Sequence, residues 1–439
     1  MEIDSGNTAW VLACAALVML MTPGLAFFYG GMSRAKSVLN MMLMSFASIA
    51  IVSVLWVVIG YSLTFGGGSG ALSPIIGGLD TLGLSGLIST GTDGLPDLAF
   101  AGFQMMFAVI TVALISGAIA DRAKFGAWLL FVPLWSLLVY FPVAHWVWGG
   151  GWIADLEIGG SAVIDFAGGT AVHINAGAAA LALTLVLGRR QGFGTESMRP
   201  HNLPFVLLGA ALLWFGWFGF NAGSGLAADG TASLALVNTQ VATAAATAAW
   251  MLVERLRYGK VTALGFASGA IAGLVAITPA AASLTPIGSV ILGLIAGAIC
   301  AYAISWKFKF GYDDALDVVG IHMVGGIIGS LGIGLLASSL VGEEAPNGLF
   351  YGGSFTLLAV QAVAVVVVMI YSFVASWIIA KVIDLIMGFR IPEHVETNGL
   401  DHEVHSETAY AFDELDETEA ELSSPTPPGE EKPSQQARL

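Results

Sequence analysis

The stretch Asp165-Phe-Ala-Gly-Gly-Thr-Ala-Val-His173-Ile-Asn-Ala-Gly177 places one histidine in the middle of an apolar run. A second stretch, Asp314-Ala-Leu-Asp-Val-Val-Gly-Ile-His322-Met-Val-Gly-Gly326, repeats the spacing, with histidine eight residues after aspartate and four before glycine. An ionisable side chain is costly inside a bilayer, so it usually faces the protein interior or a pathway. The duplicated motif therefore indicates two membrane segments that share a conduction site.

The composition of the chain is that of a polytopic membrane protein. Hydrophobic residues make up 56% of it, charged residues only 11%, and the mean hydropathy is +0.81. Eleven apolar runs reach membrane-spanning length. The predicted spans are 8–28, 38–61, 98–120, 125–143, 162–187, 203–220, 233–253, 261–277, 287–306, 318–336 and 355–380.

The first ten runs form two halves of five, and the second half enters the membrane from the opposite face because five is odd. Inverted repeats with a substrate site near the midplane are a common transporter plan. Eight helical residues rise about 12 Å. In a hydrocarbon core of about 30 Å, His173 and His322 are therefore expected roughly 6 Å apart along the membrane normal. The predicted fold is all-α, with a 5+5 inverted repeat and a peripheral eleventh helix.

The basic residues predict the orientation. All sixteen Lys and Arg residues lie on one side of the eleven-span arrangement, and basic loops mark the cytoplasmic face. The amino terminus is therefore expected outside and the carboxyl terminus in the cytoplasm. Glu2 and Asp4 stand where a cleavable signal peptide would be basic, so the first run is expected to be a retained helix. Cys14 and Cys300 lie within spans, which argues against a disulfide framework.

Three segments follow from charge and composition. Of the net charge of −15, residues 387–439 contribute thirteen acids against three bases, which leaves −5 on the membrane body. We predict a transmembrane domain at 1–386, an ordered cytoplasmic regulatory segment at 387–410 and a disordered acidic tail at 411–439, because the tail is Ser/Pro-rich and poor in large apolar residues.

Several motifs resemble the ammonium transporter family, which comprises the Amt, Mep and Rh proteins, in its prokaryotic Amt form. They are Asp165 to Gly177 with Gly188-Arg-Arg190, Gly219-Phe-Asn-Ala-Gly-Ser224, Ala144-His-Trp-Val-Trp-Gly-Gly-Gly151, Asp313-Asp314 with Asp317 and His322, and Gly399-Leu-Asp401 with Glu407-Thr-Ala-Tyr410. The resemblance extends from about Trp10 to Tyr410. One departure is Ser406, where the family usually has glycine, and it leaves the local turn of the tail open.

The resemblance implies a recruitment site for ammonium in an outer vestibule, at Trp148, Phe107 and Ser224, and a gate formed by Phe107 and Phe220. Aromatic faces attract a cation by about 0.5 to 2 kcal/mol, and a serine hydroxyl accepts a hydrogen bond that potassium cannot donate. Without the resemblance, the two phenylalanines would be read as helix packing and Trp148 as an interfacial anchor.

The resemblance also implies that His173 and His322 form a hydrogen-bonded pair in an apolar pore, while Trp217 and Thr278 match family positions of lower rank. A full charge at mid-bilayer costs from about 2.5 to over 10 kcal/mol. Removing the proton of ammonium near neutral pH costs only about 3 kcal/mol. The small amine is therefore expected to cross uncharged, and an imidazole pair offers it both a donor and an acceptor.

Three aspartates are predicted to be structural and electrostatic. Asp165 precedes one histidine-bearing span, and Asp314 and Asp317 precede the other. A carboxylate at such a place caps free N–H groups and favours the positive end of the helix. Direct contact with the substrate is not expected of these side chains.

The expected partners are ammonium or ammonia, methylammonium, two further copies of the chain in a homotrimer, the lipid bilayer and a cytoplasmic PII signal protein. Loops 188–201 and 312–317 are the expected PII contacts. A rival hypothesis is an ammonium sensor that signals through its cytoplasmic tail, but the tail contains no recognisable catalytic or receiver domain. A membrane metalloenzyme would need a three-ligand cluster, which the sequence does not show. We expect no enzyme activity, cofactor, metal or nucleic-acid partner.

Overall fold

The computed structural model describes residues 3–68, 70–342 and 345–411, and eleven helices in them are long and apolar enough to cross a membrane. They are α1 (Ser5–Met32), α2 (Val38–Phe65), α3 (Asp97–Ile119), α4 (Phe125–Trp148), α5 (Gly169–Leu187), α6 (Leu203–Gly223), α7 (Gly230–Tyr258), α8 (Ala263–Ala280), α9 (Pro286–Phe310), α10 (Val319–Leu336) and α11 (Phe355–Met387). Two short helices follow, α12 (Glu393–Asn398) and α13 (Leu400–His405). The predicted all-α polytopic fold is confirmed.

Two short antiparallel hairpins connect spans. In the first, β1 (Gly91–Thr92) pairs with β2 (Leu95–Pro96), and in the second β3 (Glu157–Ile158) pairs with β4 (Ser161–Ala162). The second hairpin corrects the predicted start of the fifth span at 162. That residue pairs in a strand, so α5 begins only at Gly169.

Short polar side chains begin several spans. Asp4, Asn202, Asp229 and Thr262 each accept a hydrogen bond from the backbone N–H three residues later. Such a cap satisfies one of the free N–H groups of the first turn and stabilises a helix by about 1 kcal/mol. The ends of these membrane helices are therefore defined by local sequence as well as by hydropathy.

The packing order agrees with two halves and a peripheral last helix. Helix α1 packs along α6, while α7 packs against α8 and α9. Helix α11 lies across α4, α5 and α10 on the outside of the bundle. Cys14 and Cys300 are both buried with free thiols, as predicted.

An ionic cluster joins the loops at the end of the bundle that carries the Lys and Arg residues. The Arg190 guanidinium binds the Asp313 carboxylate at two points, 2.8 and 2.9 Å, and also lies 3.4 Å from Asp121. Burial raises the pKa of Asp313, but the hydrogen bond and charge of Arg190 outweigh it and hold the pKa below its usual value. The loops before α6 and α10 therefore form one connected surface.

The segment after α11 folds back onto the same end of the bundle. The Asp401 carboxylate accepts hydrogen bonds from the backbone N–H groups of Leu39 and Asn40, at 3.0 and 2.8 Å, and so caps the start of α2. The Tyr410 hydroxyl lies 2.9 Å from Nε2 of His201. This segment is thus tied to two different loops.

Ser406 ends α13 with a φ of 56°, in the left-handed region that favours glycine. The turn that glycine usually makes in the family is therefore made here by serine. The predicted tail at 411–439 lies outside the described residues except for Ala411.

Candidate functional site

The start of α5 is built around the buried carboxylate of Asp165. That carboxylate accepts hydrogen bonds from the backbone N–H groups of Gly168, Gly169 and Thr170, at 2.8, 2.6 and 2.8 Å, and from the Thr170 hydroxyl. Gly168 has a φ of 117°, which few residues with a Cβ adopt. Burial raises the pKa of Asp165, and the hydrogen bonds from Thr170, Ala171 and Gly169 oppose that shift. The carboxylate thus caps the span from within the protein.

The start of α10 uses a second buried carboxylate in the same way. Asp314 accepts hydrogen bonds from the N–H groups of Val318 and Val319, at 3.0 and 2.7 Å. Burial raises its pKa to about 6, while the charge of Lys307 acts in the opposite direction. Asp317 was predicted to cap the start of α10 in the same way as Asp314, but its side chain is engaged elsewhere. Its carboxylate pairs with Lys307 at 2.6 Å, and its own φ of 65° is left-handed.

The two histidines lie on matching turns of π-helix. His173 belongs to Gly169–Ile174 and His322 to Val319–Met323, the first turns of α5 and α10. Such turns are frequent at functional sites. The two spans approach closely at Gly177, where a Cβ would lie 2.6 Å from the backbone nitrogen of Met323. Duplicated local geometry therefore directs both side chains into the same place.

The rings of His173 and His322 are in contact. Their Nδ1 atoms lie 3.2 Å apart, and both residues are buried. One Nδ1 donates and the other accepts, so the pair shares one proton between two neutral rings. Nε2 of His173 has no hydrogen-bond partner among the described residues. A buried polar atom without a partner is costly, and this one is available to a small hydrogen-bonding molecule.

Three aromatic rings lead to this pair from the end of the bundle opposite the basic loops. Phe107 and Phe220 are stacked, with ring centroids 4.1 Å apart and an interplanar angle of 24°. Trp148 meets Phe107 edge to face at 6.1 Å. On the other side, the ring of Phe220 lies 6.1 Å from that of His173. The stacked phenylalanines therefore separate Trp148 from the histidines.

The polar atoms predicted for the vestibule lie beside these rings. Ser224 is partly exposed, and its hydroxyl donates to the carbonyl oxygen of Phe220 at 2.8 Å. Its oxygen lone pairs remain able to accept a hydrogen bond. The indole N–H of Trp148 donates to the carbonyl oxygen of Asp165 at 2.8 Å. Trp148 is therefore positioned by the same residue that begins α5.

Sequence reasoning ranked Trp217 and Thr278 too low. The Trp217 ring stacks on His173 with centroids 5.3 Å apart, and its indole N–H donates to the Thr278 hydroxyl at 2.8 Å. Trp217 precedes Phe220 by three residues on α6, and residues three apart on a helix share a face. That spacing was the signal that could have placed Trp217 beside the pair.

The arrangement can attract a cation to aromatic faces and can offer a neutral amine both a donor and an acceptor. It does not resemble a metal centre. No cluster of three or more His, Cys, Asp or Glu side chains suited to a metal occurs in the described part of the chain. All the predicted site residues except Asp314 and Asp317 lie within one continuous group of contacts from Trp148 to His322.

Comparison with known proteins agrees with the geometry. The model of the Ammonium Transporter Family matches residues 9–410. An ammonium transporter of Bacillus subtilis (strain 168) is 51% identical, with 93% of this chain and 99% of the relative covered. The ammonium transporter Amt1 of Archaeoglobus fulgidus is 46% identical, with 93% and 100% covered.

Solved structures give the same result. The crystal structure of Candida albicans Mep2 is 34% identical with a TM-score of 0.82, and 90% of this chain and 88% of Mep2 are covered. A structure titled as a sensor Amt protein is 28% identical with a TM-score of 0.83, and 91% and 98% are covered. The chain therefore belongs to the ammonium transporter family, and it is a multi-pass membrane protein of a transporter family rather than an enzyme.

Proposed function

We propose that the protein recruits ammonium at Trp148, Phe107 and Ser224, removes its proton and conducts ammonia past His173 and His322. The observation that carries this proposal is the 3.2 Å contact between the two buried imidazoles, directly behind the stacked phenylalanines. The proton released from ammonium passes to water in the vestibule, and ammonia crosses with or without it. Phe107 and Phe220 act as the gate.

The energetics favour transfer of the neutral molecule. Stacked rings exclude water, and a charge taken beyond them loses its hydration at a cost of about 2.5 to over 10 kcal/mol. Deprotonating ammonium near pH 7 costs about 3 kcal/mol. Potassium has no proton to lose, so the same barrier excludes it. Selectivity therefore comes from the apolar gate as well as from the vestibule.

The histidine pair supports ammonia by hydrogen bonding. A fixed contact between the two Nδ1 atoms leaves Nε2 of His173 without a protein partner. Ammonia both donates and accepts hydrogen bonds, so it can replace the missing partner without a charge. Trp217 holds the His173 ring in place by stacking on it.

We further propose that the protein assembles as a homotrimer through α6 and α7. Gln240 is exposed at membrane depth, and Trp214 engages only its carbonyl oxygen, at 3.1 Å. Within the described residues its amide N–H groups have no acceptor. Ala244 and Ala248 lie one and two turns further on the same face and are exposed. Small residues let membrane helices approach, and polar side chains bond across them.

A PII protein is proposed to dock on the basic end, which we place in the cytoplasm. Arg190 joins the loop before α6 to Asp313 in the loop before α10. Glu396 of α12 accepts a hydrogen bond from the backbone N–H of Gln191 at 2.7 Å. The loops and the tail segment thus form one preorganised surface, which lowers the cost of binding. A trimeric PII would match a trimeric transporter.

The first test removes each imidazole. We expect His173→Ala and His322→Ala to lower methylammonium uptake into proteoliposomes by more than about tenfold, because each change removes a hydrogen-bonding group equivalent to about 1.5 kcal/mol or more. His394→Ala, on the exposed side of α12, is the control and should leave uptake unchanged. Unchanged uptake in correctly folded pore variants would refute the relay, and a wild-type protein that binds without uptake would favour the sensor.

The second test concerns recruitment. Trp148→Leu removes the aromatic face, and a cation–π contribution of about 0.5 to 2 kcal/mol predicts a half-saturating methylammonium concentration about 2- to 30-fold higher. Trp148→Phe keeps a ring face but loses the hydrogen bond to Asp165. Its half-saturating concentration should therefore lie between those of the wild type and Trp148→Leu. Trp152→Leu is the matched control, since Trp152 packs on Trp146 away from Phe107. Equal half-saturation in all four proteins would contradict the role of Trp148.

The third test concerns assembly. Light scattering of the purified protein in detergent should give the mass of three chains. Ala244→Phe should block the approach of a neighbouring helix, and Gln240→Leu should weaken the association of the chains by about 0.6 to 2 kcal/mol. Both variants should therefore shift the mass toward that of one chain on dilution. Val374→Ala, on the exposed face of α11, should not. A wild-type monomer, or trimers unaffected by Ala244→Phe, would contradict this interface.

The fourth test concerns PII and orientation together. Purified PII should sediment with inside-out membrane vesicles and not with right-side-out vesicles. Arg190→Ala leaves Asp313 without its main partner and should weaken PII binding about tenfold or more, since charged hydrogen bonds contribute about 1.5 to 3 kcal/mol each. Binding to right-side-out vesicles would reverse the proposed orientation, and binding to neither would remove PII as a partner.

A further inference from the structure

The end of α4 that carries Trp148 holds the loop after α2 through three successive backbone carbonyl groups. In chain order, the carbonyl oxygens of residues 73–75 contact Nε2 of His145 at 2.7 Å, the backbone N–H of Trp152 at 3.0 Å and the indole N–H of Trp146 at 2.7 Å. Each of the three carbonyl groups thus has its partner at this one end of α4. The loop is therefore anchored directly beside the proposed recruitment site.

Both ring nitrogens of His145 face a carbonyl oxygen. Nδ1 lies 2.8 Å from the carbonyl oxygen of Thr64, Nε2 lies 2.7 Å from that of Ser73, and the residue is only 2% exposed. A carbonyl oxygen can only accept a hydrogen bond, and a neutral imidazole has one donor. The two contacts are therefore both hydrogen bonds only when each ring nitrogen carries a hydrogen. In the neutral ring, one of the two buried oxygen atoms loses its donor, which is costly.

The backbone around His145 leaves little room for adjustment. The N–H groups of Gly149 and Gly151 both donate to the carbonyl oxygen of His145, at 2.9 and 3.0 Å. A Cβ at Gly149 would clash with the carbonyl oxygen of Thr64, so the ends of α2 and α4 meet backbone to backbone. Trp148 lies within this turn. The contacts of His145, here called the histidine clamp, therefore help to set where the Trp148 ring lies.

No carboxylate in the described residues lies within ion-pair distance of His145. The acids beside the clamp are engaged elsewhere. The Asp80 carboxylate accepts a hydrogen bond from the backbone N–H of Gly67 at 3.2 Å, and that of Asp165 caps α5. The titratable side chains on the elements around this end of α4 are Tyr61, Asp80, Asp97, Asp155, Asp165 and Tyr371. The two carbonyl oxygens are thus the groups that favour a second hydrogen on the ring.

We propose that His145 is a positioning residue for ammonium recruitment, and that its clamp is complete only when both ring nitrogens carry a hydrogen. The inference rests on the proposed recruitment of ammonium at Trp148. A rise in pH removes one hydrogen, breaks one of the two contacts and loosens the end of α4 from its neighbours. Recruitment is therefore tighter at lower pH. Repulsion between an imidazolium and a cationic substrate would act in the opposite direction, so the sign of the pH effect distinguishes the two.

The test measures the half-saturating methylammonium concentration for uptake into proteoliposomes between about pH 5 and 8, where histidine changes charge. An alkylamine stays charged throughout this range, because its pKa is close to the value of about 10.4 for lysine. For the wild type, the half-saturating concentration should rise about 2- to 10-fold with pH, as the loss of one hydrogen bond allows. His145→Gln has no titrating ring, so its half-saturating concentration should not change with pH.

Trp146→Phe is the matched control. It removes the hydrogen bond to Ile75 from the same loop but leaves His145 in place. Its half-saturating concentration should be higher than that of the wild type at every pH, with the same dependence on pH. Equal pH dependence in His145→Gln and the wild type, or weaker recruitment toward low pH in the wild type, would overturn the proposal.

Nitrogen-15 NMR of histidine-labelled protein tests the clamp without transport. The signal that His145→Gln removes should show two protonated ring nitrogens over the pH range in which recruitment is tight. A ring with one hydrogen throughout that range would refute the clamp. Absence of uptake by the wild type would refute the proposed function instead, and the NMR signal would still decide the state of His145.

Discussion

Two buried carboxylates determine where the pore histidines lie. A helix that begins inside a membrane protein leaves several N–H groups without partners, and in a low-dielectric interior each is costly. Asp165 and Asp314 satisfy those groups at the starts of α5 and α10. The π-helical turn that follows each cap carries the histidine. The carbonyl oxygen of Asp165 also accepts a hydrogen bond from the indole N–H of Trp148, so one residue connects Trp148 to the start of the helix that carries His173.

The inverted arrangement turns a repeated sequence into a single site. Because α10 follows α5 by five positions in the order of spans, the two helices enter from opposite faces, and the identical spacing brings His173 and His322 together. The close approach at Gly177 then allows direct contact of the rings. Two neutral imidazoles satisfy each other at Nδ1 and leave hydrogen-bonding capacity toward the lumen. Buried behind the stacked phenylalanines, this pair fits the proposed passage of a small neutral amine better than that of an ion.

The sequence predicted the spans and the histidine contact well, because hydropathy and a duplicated spacing are strong signals. It predicted local detail less well. The start of α5 was placed seven residues too early, since the residues between the β3–β4 hairpin and Gly169 are mostly apolar although they are not helical. Asp317 was grouped with Asp314, yet it pairs with Lys307 in the last turn of α9, a contact that spacing cannot reveal. The stack of Trp217 on His173 likewise depends on how α6 packs against α5.

Two polar groups that the described residues leave without a partner lie where we propose that the chain meets other molecules. Most buried donors and acceptors of a membrane protein find partners internally, because lipid offers none. In the part of the chain described, Nε2 of His173 has no hydrogen-bond partner and the amide N–H groups of Gln240 on α7 have no acceptor. Each deficit has a different chemistry and depth. A neutral amine and a neighbouring helix are the groups that we propose to match them.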